Sequence, residues 1–417
     1  MTDIAELLAR RERLFGPDVP TFYKNPVHLV RGEGAWLWDA DGRRYVDAYN
    51  NVAHVGHAHP WVVGAIAQQA AALNTHSRYL HEGVLEYGER LIATFGNRLD
   101  TFLMVCTGSE ANDVALRMAR AMTGKCGFIA TDNTYHGNTA LVSQLNARKP
   151  PIGGRGQNVR LVPAPDKLRD GREFARHVAR AIDSFEEEGH GFAALILDPY
   201  FANEGFPTLP KGYLDPMASI VRRAGGLVIA DEVQPGFGRL GSHFWGHQRA
   251  GLAPDIVTMG KPMGNGYPLA GVVARREVME AFRKGFGYFN TFGASPVAAA
   301  AGMAVLEVLA DERLEENART IGQYLLDGMR TIEHAQIAEV RGAGLFIGME
   351  LADAPQGMSG GDLAARVVDA MREAGVLMGR TGRMGQVLKI RPPMVLNREQ
   401  ADLLLERLGD VFAEIPG

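Results

Sequence analysis

Short apolar runs alternate with amphipathic segments between residues 102 and 231, and this alternation constrains the fold more than any other feature of the chain. Glycine or polar residues bound the runs, as is typical of strands that are buried on both faces of a parallel sheet. This alternation predicts an α/β fold with a doubly wound, mostly parallel sheet. The predicted strands are 102–107, 126–131, 159–163, 193–198 and 227–231.

The regions before and after this alternation have different patterns. Residues 4–14 have the spacing of a short amphipathic helix, and residues 27–47 are predicted to form strands and hairpins. After Asp311 the predicted helices are longer and the strands shorter, which indicates a second domain. A chain of 417 residues with 46% hydrophobic content is long enough for two domains.

Composition excludes several classes of protein. Charged residues make up 22% of the chain and the formal charge is −4, with no basic stripe that would indicate nucleic-acid binding. The first thirteen residues lack the apolar core of a secretory signal, and no apolar stretch is long enough to span a bilayer. Cys106 and Cys126 lie in apolar runs, so we expect buried free thiols and a cytoplasmic protein.

Three histidines, His54, His57 and His59, raise the question of a metal site. The spacing of His57 and His59 suits two ligands on one strand. No cysteine or further histidine cluster completes a ligand set, so we expect no metal.

Lys261 is the first candidate functional residue. It lies in Met259-Gly-Lys-Pro-Met-Gly264, directly after an apolar run. A lysine becomes a nucleophile when its surroundings lower its pKa, and flanking glycines allow a flat ligand to approach the backbone. Taken alone, the same residues also fit a turn with a solvated lysine.

Asp231 is the second candidate, because it ends a predicted buried strand and ligands of open α/β sheets bind beyond such strand ends. A carboxylate there and a lysine thirty residues later are the pair that pyridoxal phosphate requires. The lysine forms the Schiff base, and the acid keeps the pyridine nitrogen protonated. A simple helix N-cap is the alternative function of Asp231.

Two further segments fit the same cofactor. Thr107, Gly108 and Ser109 begin a helix after a strand, where free N–H groups bind a phosphate, although an ordinary capped helix has the same pattern. Tyr135 and His136 follow another predicted strand and would supply an aromatic ring for stacking, although a simple turn is also consistent.

Together these segments resemble the class-III aminotransferase family of pyridoxal-phosphate enzymes. The resemblance rests on four motifs in the family's order, Thr107–Asn112, Tyr135–Gly137, Asp231–Arg239 and Met259–Lys261. It implies fold type I, with a mostly parallel seven-stranded sheet flanked by helices in the large domain and a smaller α+β domain. Residues 56–308 would then form the large domain, and residues 1–55 and 309–417 the small one.

The resemblance also implies roles for individual residues. Pyridoxal 5′-phosphate would be attached to Lys261, with Asp231 at the ring nitrogen and Gln234 near the ring hydroxyl. Tyr135 or His136 would stack on the ring. The cofactor phosphate would be held by Gly108 and Ser109 of one chain and by Thr291 of the partner subunit. The resemblance therefore implies a homodimer with shared active sites, or a tetramer.

The region near the C-terminal strand departs from the family pattern. Many members have an arginine for a substrate α-carboxylate where this chain has Lys389, and Arg391 lies two residues later. Lysine lacks the bidentate fork that suits a carboxylate, and alternation places both cations on one face of the strand. Solvated charges at a sheet edge are the alternative.

This departure accompanies a closer resemblance, to the ethanolamine-phosphate phospho-lyase branch, whose members release phosphate and ammonia from O-phosphoethanolamine. The branch resemblance rests on segments 51–57, 73–81, 260–266 and 388–394, with Phe244 and Trp245. It predicts a carbon–oxygen lyase in which His54, Arg78 and Lys389 bind the substrate phosphate. An ω-aminotransferase acting between an amine and a keto acid is the alternative, and Asp198, where many members have glutamate, bears on the choice of substrate.

Overall fold

A sheet of seven strands forms the centre of the part of the chain that the structure describes. The structure is a computed structural model and describes residues 3–96, 98–147, 151–166, 168, 170–354 and 357–415. Within these ranges, every helix is too short or too polar to span a bilayer. Before the large sheet, the chain forms α1 (Ile4–Phe15), β1 (Leu29–Glu33), β2 (Trp36–Asp39) and β3 (Arg44–Asp47).

The large sheet and its helices are formed by residues 60 to 285. The elements are α2 (Pro60–Ala72), α3 (Glu82–Ile92), β4 (Thr101–Val105), α4 (Gly108–Thr123), β5 (Gly127–Thr131), β6 (Val159–Val162), α5 (Gly171–Glu187), β7 (Phe192–Leu197), α6 (Asp215–Arg223), β8 (Leu227–Asp231), α7 (Gly246–Arg249), β9 (Ile256–Met259), β10 (Ala270–Ala274) and α8 (Arg276–Gly285). Short 3-10 turns occur at Val142–Leu145 and Lys261–Gly264.

The strand order in the large sheet is β4-β10-β9-β8-β7-β5-β6. Neighbouring strands from β9 to β6 are parallel, whereas β10 is antiparallel to both β4 and β9. The prediction of a mostly parallel, seven-stranded sheet is therefore confirmed.

Both faces of this sheet are buried, which explains why its strands are continuously apolar. Successive residues of a strand point to opposite faces. On β7, Ile196 packs into the cluster that contains α4, whereas Leu195 and Leu197 pack into the cluster that contains α5 and α6. Helices on both sides exclude water from the sheet, as doubly wound folds require.

The remaining elements form two smaller sheets and long helices. Strands β1, β2 and β3 are antiparallel, and Val46 of β3 pairs with Val376 in a parallel bridge between distant parts of the chain. The division into domains at residues 55 and 308 stays a prediction. The C-terminal elements are α9 (Pro296–Asp311), α10 (Leu314–Arg330), β11 (Ile337–Ala343), β12 (Phe346–Leu351), α11 (Gly360–Glu373), β13 (Val376–Leu377), β14 (Gly379–Thr381), β15 (Val387–Ile390) and α12 (Arg398–Glu414).

The expectation of buried cysteines is wrong. Both thiols are free, but Cys106 is half-buried and Cys126 is exposed. Each strand is shorter than its apolar run, because β4 ends at Val105 and β5 begins at Gly127. The two cysteines therefore lie just outside the strands, where the sheet no longer covers them.

Candidate active site

A cavity of about 380 Å³ opens at the edge of the large sheet where the parallel strands end. The carboxyl ends of five strands lie at this edge: β4, β5, β7, β8 and β9. The segment leading into β10 forms the remaining wall of the cavity. The structure brings together at this cavity the predicted residues Gly108, Ser109, Tyr135, His136, Asp231, Gln234 and Lys261. Asp198 also lines the cavity.

Lys261 follows β9 and begins a short 3-10 turn. Its φ of +21° is a backbone conformation that residues other than glycine rarely adopt, as is often found at functional sites. Its side chain is exposed to the cavity. The loss of hydration within this cavity, together with the charge of Arg391, lowers the pKa of the Lys261 amine to about 8. The amine is therefore far closer to its neutral, nucleophilic form than an ordinary lysine.

Both oxygens of the Asp231 carboxylate accept hydrogen bonds. Oδ2 accepts hydrogen bonds from Asn112 Nδ2 at 2.9 Å and from the His136 ring at 2.7 Å, and Oδ1 accepts from the backbone N–H of Val233 at 3.0 Å. The side chain is buried at the cavity wall. These bonds fix a negative charge beside the cavity, as a protonated ring nitrogen requires.

Asn112 is a site residue to which sequence reasoning gave no role. Its Nδ2 also donates to the backbone carbonyl of His136 at 2.7 Å, and its Oδ1 accepts from Thr258 Oγ1 at 2.6 Å. One side chain thus joins α4, β8 and β9 and the segment after β5. The sequence could have indicated Asn112 through its position, because it is a polar residue on the buried, alanine-rich face of an amphipathic helix.

The start of α4 has the features of a phosphate site. Thr107 caps the helix by accepting from the N–H of Glu110 at 3.2 Å, and the Glu110 carboxylate accepts from the N–H of Cys106 at 2.8 Å. Neighbouring groups leave no room for side chains at two glycines. A Cβ on Gly108 would lie 2.9 Å from Val233, and one on Gly137 would lie 2.7 Å from the Ser109 Cα.

These observations fit pyridoxal 5′-phosphate. The cavity combines a lysine of lowered pKa, a fixed carboxylate and a helix start whose backbone N–H groups favour an anion. Two residues remain candidates for stacking on the cofactor ring, His136 and Tyr135. His136 is buried and its ring is bound to Asp231, whereas the Tyr135 side chain is half exposed at the cavity.

The structure does not bring the other predicted residues to the cavity lining. Thr291 and Arg78 are exposed, and the Arg78 guanidinium lies 4.1 Å from the centre of the Phe289 ring. Lys389 is buried behind the lining, with its Nζ 2.9 Å from Gln234 Oε1. The predicted roles of these three residues stay predictions.

His54 is fully buried away from the cavity lining. One of its ring nitrogens is 2.7 Å from the carbonyl oxygen of Phe237, and the other is 3.0 Å from the Arg239 guanidinium. Burial and the charge of Arg239 lower its pKa well below the ordinary value, which favours a neutral ring. Because both nitrogens are occupied, this placement gives no support to its predicted role as a phosphate ligand.

Comparison with known proteins agrees with this geometry. The model of the family described as aminotransferase class-III matches residues 20–412. The chain belongs to the class-III aminotransferase family. Fold type I follows for the described sheet and its helices, and the family implies pyridoxal-phosphate chemistry of the transferase or lyase kind.

Relatives within the family have names from both kinds of enzyme. An alanine–glyoxylate aminotransferase 2-like protein of Drosophila melanogaster is 38% identical over 96% of this chain and 85% of its own length. An ethanolamine-phosphate phospho-lyase homolog 1 of Caenorhabditis elegans is 35% identical over 94% and 90%. A phospholyase from Arthrobacter, solved in complex with phosphoethanolamine, superposes with a TM-score of 0.95 at 42% identity, covering 98% of this chain and all of that one.

Proposed function

We propose that this chain is a pyridoxal-phosphate-dependent phospho-lyase that eliminates phosphate and ammonia from O-phosphoethanolamine or a close phosphorylated amine. The observation that carries the proposal is the similarity to the Arthrobacter phospholyase, which extends over nearly the whole of both chains and whose complex contains phosphoethanolamine. The phospho-lyase homolog of Caenorhabditis elegans adds support from a second relative.

The cations near the cavity also support a substrate that lacks an α-carboxylate. Lys389 Nζ and Arg391 Nη1 both donate to Gln234 Oε1, behind the cavity lining. A carboxylate is best bound by an arginine that presents two parallel N–H groups. Because both cations are engaged by one amide oxygen, neither presents such a fork to the cavity.

The chain's own residues suit an elimination. Lys261 would hold pyridoxal 5′-phosphate, Gly108 and Ser109 would bind its phosphate, and Asp231 would keep a proton on its ring nitrogen. When bound, the cofactor supplies a ring that accepts electrons from the carbon next to the amine. The substrate amine would displace Lys261 from the cofactor, and the freed Lys261 amine would take the proton from that carbon while phosphate leaves from the neighbouring carbon.

The decisive experiment incubates the holoenzyme with phosphoethanolamine and no keto acid. We expect release of inorganic phosphate, ammonia and acetaldehyde in equal amounts, because water hydrolyses the enamine that remains after elimination. The Lys261→Ala variant is the matched control and should release none. Holoenzyme that loads with cofactor but releases no phosphate from phosphoethanolamine or from a panel of close phosphorylated amines would contradict the proposal.

An ω-aminotransferase is the second candidate, and the similarity to the Drosophila alanine–glyoxylate aminotransferase 2-like protein favours it. It would use the same Lys261 and Asp231 but would transfer the amino group to a keto acid. A panel of amines with pyruvate or glyoxylate separates the two functions. New amino acid formed without phosphate release would identify the transferase.

Arg78 is the candidate for the substrate phosphate that the structure leaves accessible. It packs on Phe289, two residues before Thr291, so both residues lie on one exposed surface. In the proposed dimer this surface would meet the partner's cavity. We expect Arg78→Ala to raise the KM for phosphoethanolamine about tenfold, as for one charged hydrogen bond, with an unchanged cofactor spectrum. Unchanged kinetics would exclude Arg78 from the phosphate site.

A further inference from the structure

Two buried cations share the side-chain oxygen of Gln234. Lys389 Nζ donates to Oε1 at 2.9 Å, and Arg391 Nη1 donates to the same atom. The two residues are only 5% and 4% exposed. Since lysine and arginine carry donors and no acceptors, the atom that they share must be the amide oxygen. The orientation of the Gln234 amide is therefore fixed by chemistry.

This orientation decides what Gln234 offers to the cavity. Its side chain lines the cavity, and its oxygen is held from behind by the two cations. The amide nitrogen is the polar atom left for a ligand. Over the described ranges, no protein group accepts a hydrogen bond from this nitrogen, so Gln234 presents an unused N–H donor to the cavity.

The cations are themselves held in place by aromatic side chains. Lys389 Nζ lies 5.5 Å from the centre of the Phe346 ring and 5.8 Å from that of Phe206. The Arg391 guanidinium lies 5.1 Å from the Tyr49 ring, and its Nε donates to the Tyr49 carbonyl at 3.3 Å. Aromatic faces stabilise positive charge, so they partly offset the loss of water around two buried cations.

We propose that Lys389 and Arg391 are positioning residues that lock the Gln234 amide with its N–H group toward the cofactor ring, and that they do not bind the substrate. Two cations on one amide oxygen also polarise the amide and strengthen its N–H group as a donor. This inference rests on the cofactor site of the proposed function and is independent of which amine is used.

A double-mutant cycle on cofactor affinity tests this proposal. Cofactor-free wild type, Lys389→Met, Gln234→Leu and the double variant are titrated with pyridoxal 5′-phosphate, and the dissociation constants are compared. Each single change should weaken binding about tenfold, as expected for one polar contact. The double variant should be no weaker than about tenfold, because Lys389 acts through Gln234. Independent effects that multiply to about a hundredfold would overturn the proposal.

Two further variants keep the test informative if one of these proteins fails to fold. Lys389→Arg retains a charged donor and should bind the cofactor as wild type does. Gln234→Glu keeps an acceptor for both cations but offers no N–H group, so it should lose affinity even though the cations remain paired. Lys125→Met, at an exposed ion pair with Glu186, is the control for lysine removal.

The absorbance of the bound cofactor gives a readout without substrate. Loss of the Lys389 charge should move the pH midpoint of this spectrum upward by about one unit, since a nearby positive charge disfavours protonation. An unchanged spectrum and affinity with a raised KM for phosphoethanolamine would instead assign Lys389 to the substrate. If the cycle shows coupling but no phosphate is released, the proposed function fails and this inference stands.

Discussion

The carboxylate of Asp231 accepts three hydrogen bonds and faces the cavity, so its shape and its charge can be tested separately. Asp231→Asn keeps the shape and removes the charge. We expect phosphate release to fall about 100-fold or more, as for other electrostatic groups at reacting centres. Cofactor content, measured by absorbance, shows whether the site still loads. Turnover near that of wild type would exclude the role of Asp231 at the ring nitrogen.

Glu204 is a buried acid outside the cavity lining. Its Oε1 accepts from Thr131 Oγ1 at 2.6 Å, while Oε2 has no partner within the described ranges. Burial, and to a smaller degree the charge of Asp198, raises the pKa of Glu204 from 4.5 to about 8. The folded chain therefore holds this proton more tightly than the unfolded chain, and stability falls as pH rises from 4.5 to about 8.

The variant Glu204→Gln removes this pH dependence. We expect it to be more stable than wild type by on the order of 5 kcal/mol at about pH 9, and to differ little at about pH 5. Denaturant unfolding at the two pH values measures the difference. A variant that is equally stable at alkaline pH, or less stable, would show that Glu204 is not held in its protonated form.

Sequence reasoning located the residues at strand ends but could not locate their partners. Lys261 and Asp231 were predictable, because a strand end shows in the local pattern and the cofactor requires these side chains. His54 was chosen as a phosphate ligand for its charge. In the structure it is buried beside Arg239, which contacts it only because the chain folds back, and no local pattern reports that contact.

Among the elements at the cavity, the segment around Gly137 requires a residue without a side chain. Its φ is +140°, and a Cβ would lie 2.7 Å from the Ser109 Cα at the start of α4. We expect Gly137→Ala to cost about 1–3 kcal/mol and to weaken cofactor binding, because α4 must shift. Denaturant unfolding and cofactor titration measure the two effects.

Gly124, which follows α4, provides the matched control. It also has a positive φ, +68°, but a Cβ there meets nothing within 4 Å. Gly124→Ala should cost about 1 kcal/mol through backbone strain alone and leave cofactor affinity unchanged. Equal losses of affinity in both variants would show that the close approach at Gly137 has no specific role.

Element types were predictable, whereas some boundaries and the strand order were not. Strand β8 has the predicted bounds, because the apolar run there coincides with the strand. Strand β4 begins at Thr101 and ends at Val105, whereas the predicted strand covered residues 102–107, because the apolar run continues beyond the paired residues. Nothing local indicates that β10 enters the sheet antiparallel between β4 and β9, because that placement depends on contacts across the whole sheet.

For the whole molecule, we predict a homodimer with shared active sites. The surface that carries Arg78 and Thr291 is unusually apolar for solvent contact, since Tyr79, Leu80 and Phe292 are 66%, 98% and 70% exposed. In a dimer these side chains would be covered. Sedimentation velocity of the wild type should give the mass of two chains or a multiple of it.

The variant Phe292→Asp tests this interface. A charge there should shift the protein toward monomer and weaken cofactor binding, because Thr291 of the partner subunit would no longer reach the phosphate. Val30→Asp, at another exposed apolar position, is the control and should leave the mass unchanged. A wild type that sediments as a monomer would remove the shared site from the proposal.

The assembly of the cavity from the ends of five parallel strands has a consequence for biosynthesis. The residues at these strand ends are far apart in the chain and become neighbours only when the sheet has formed. A nascent polypeptide that ends before β9 therefore lacks Lys261 and the complete cavity for vitamin B6 aldehyde. The yellow colour of the bound coenzyme would then report that these strands have come together.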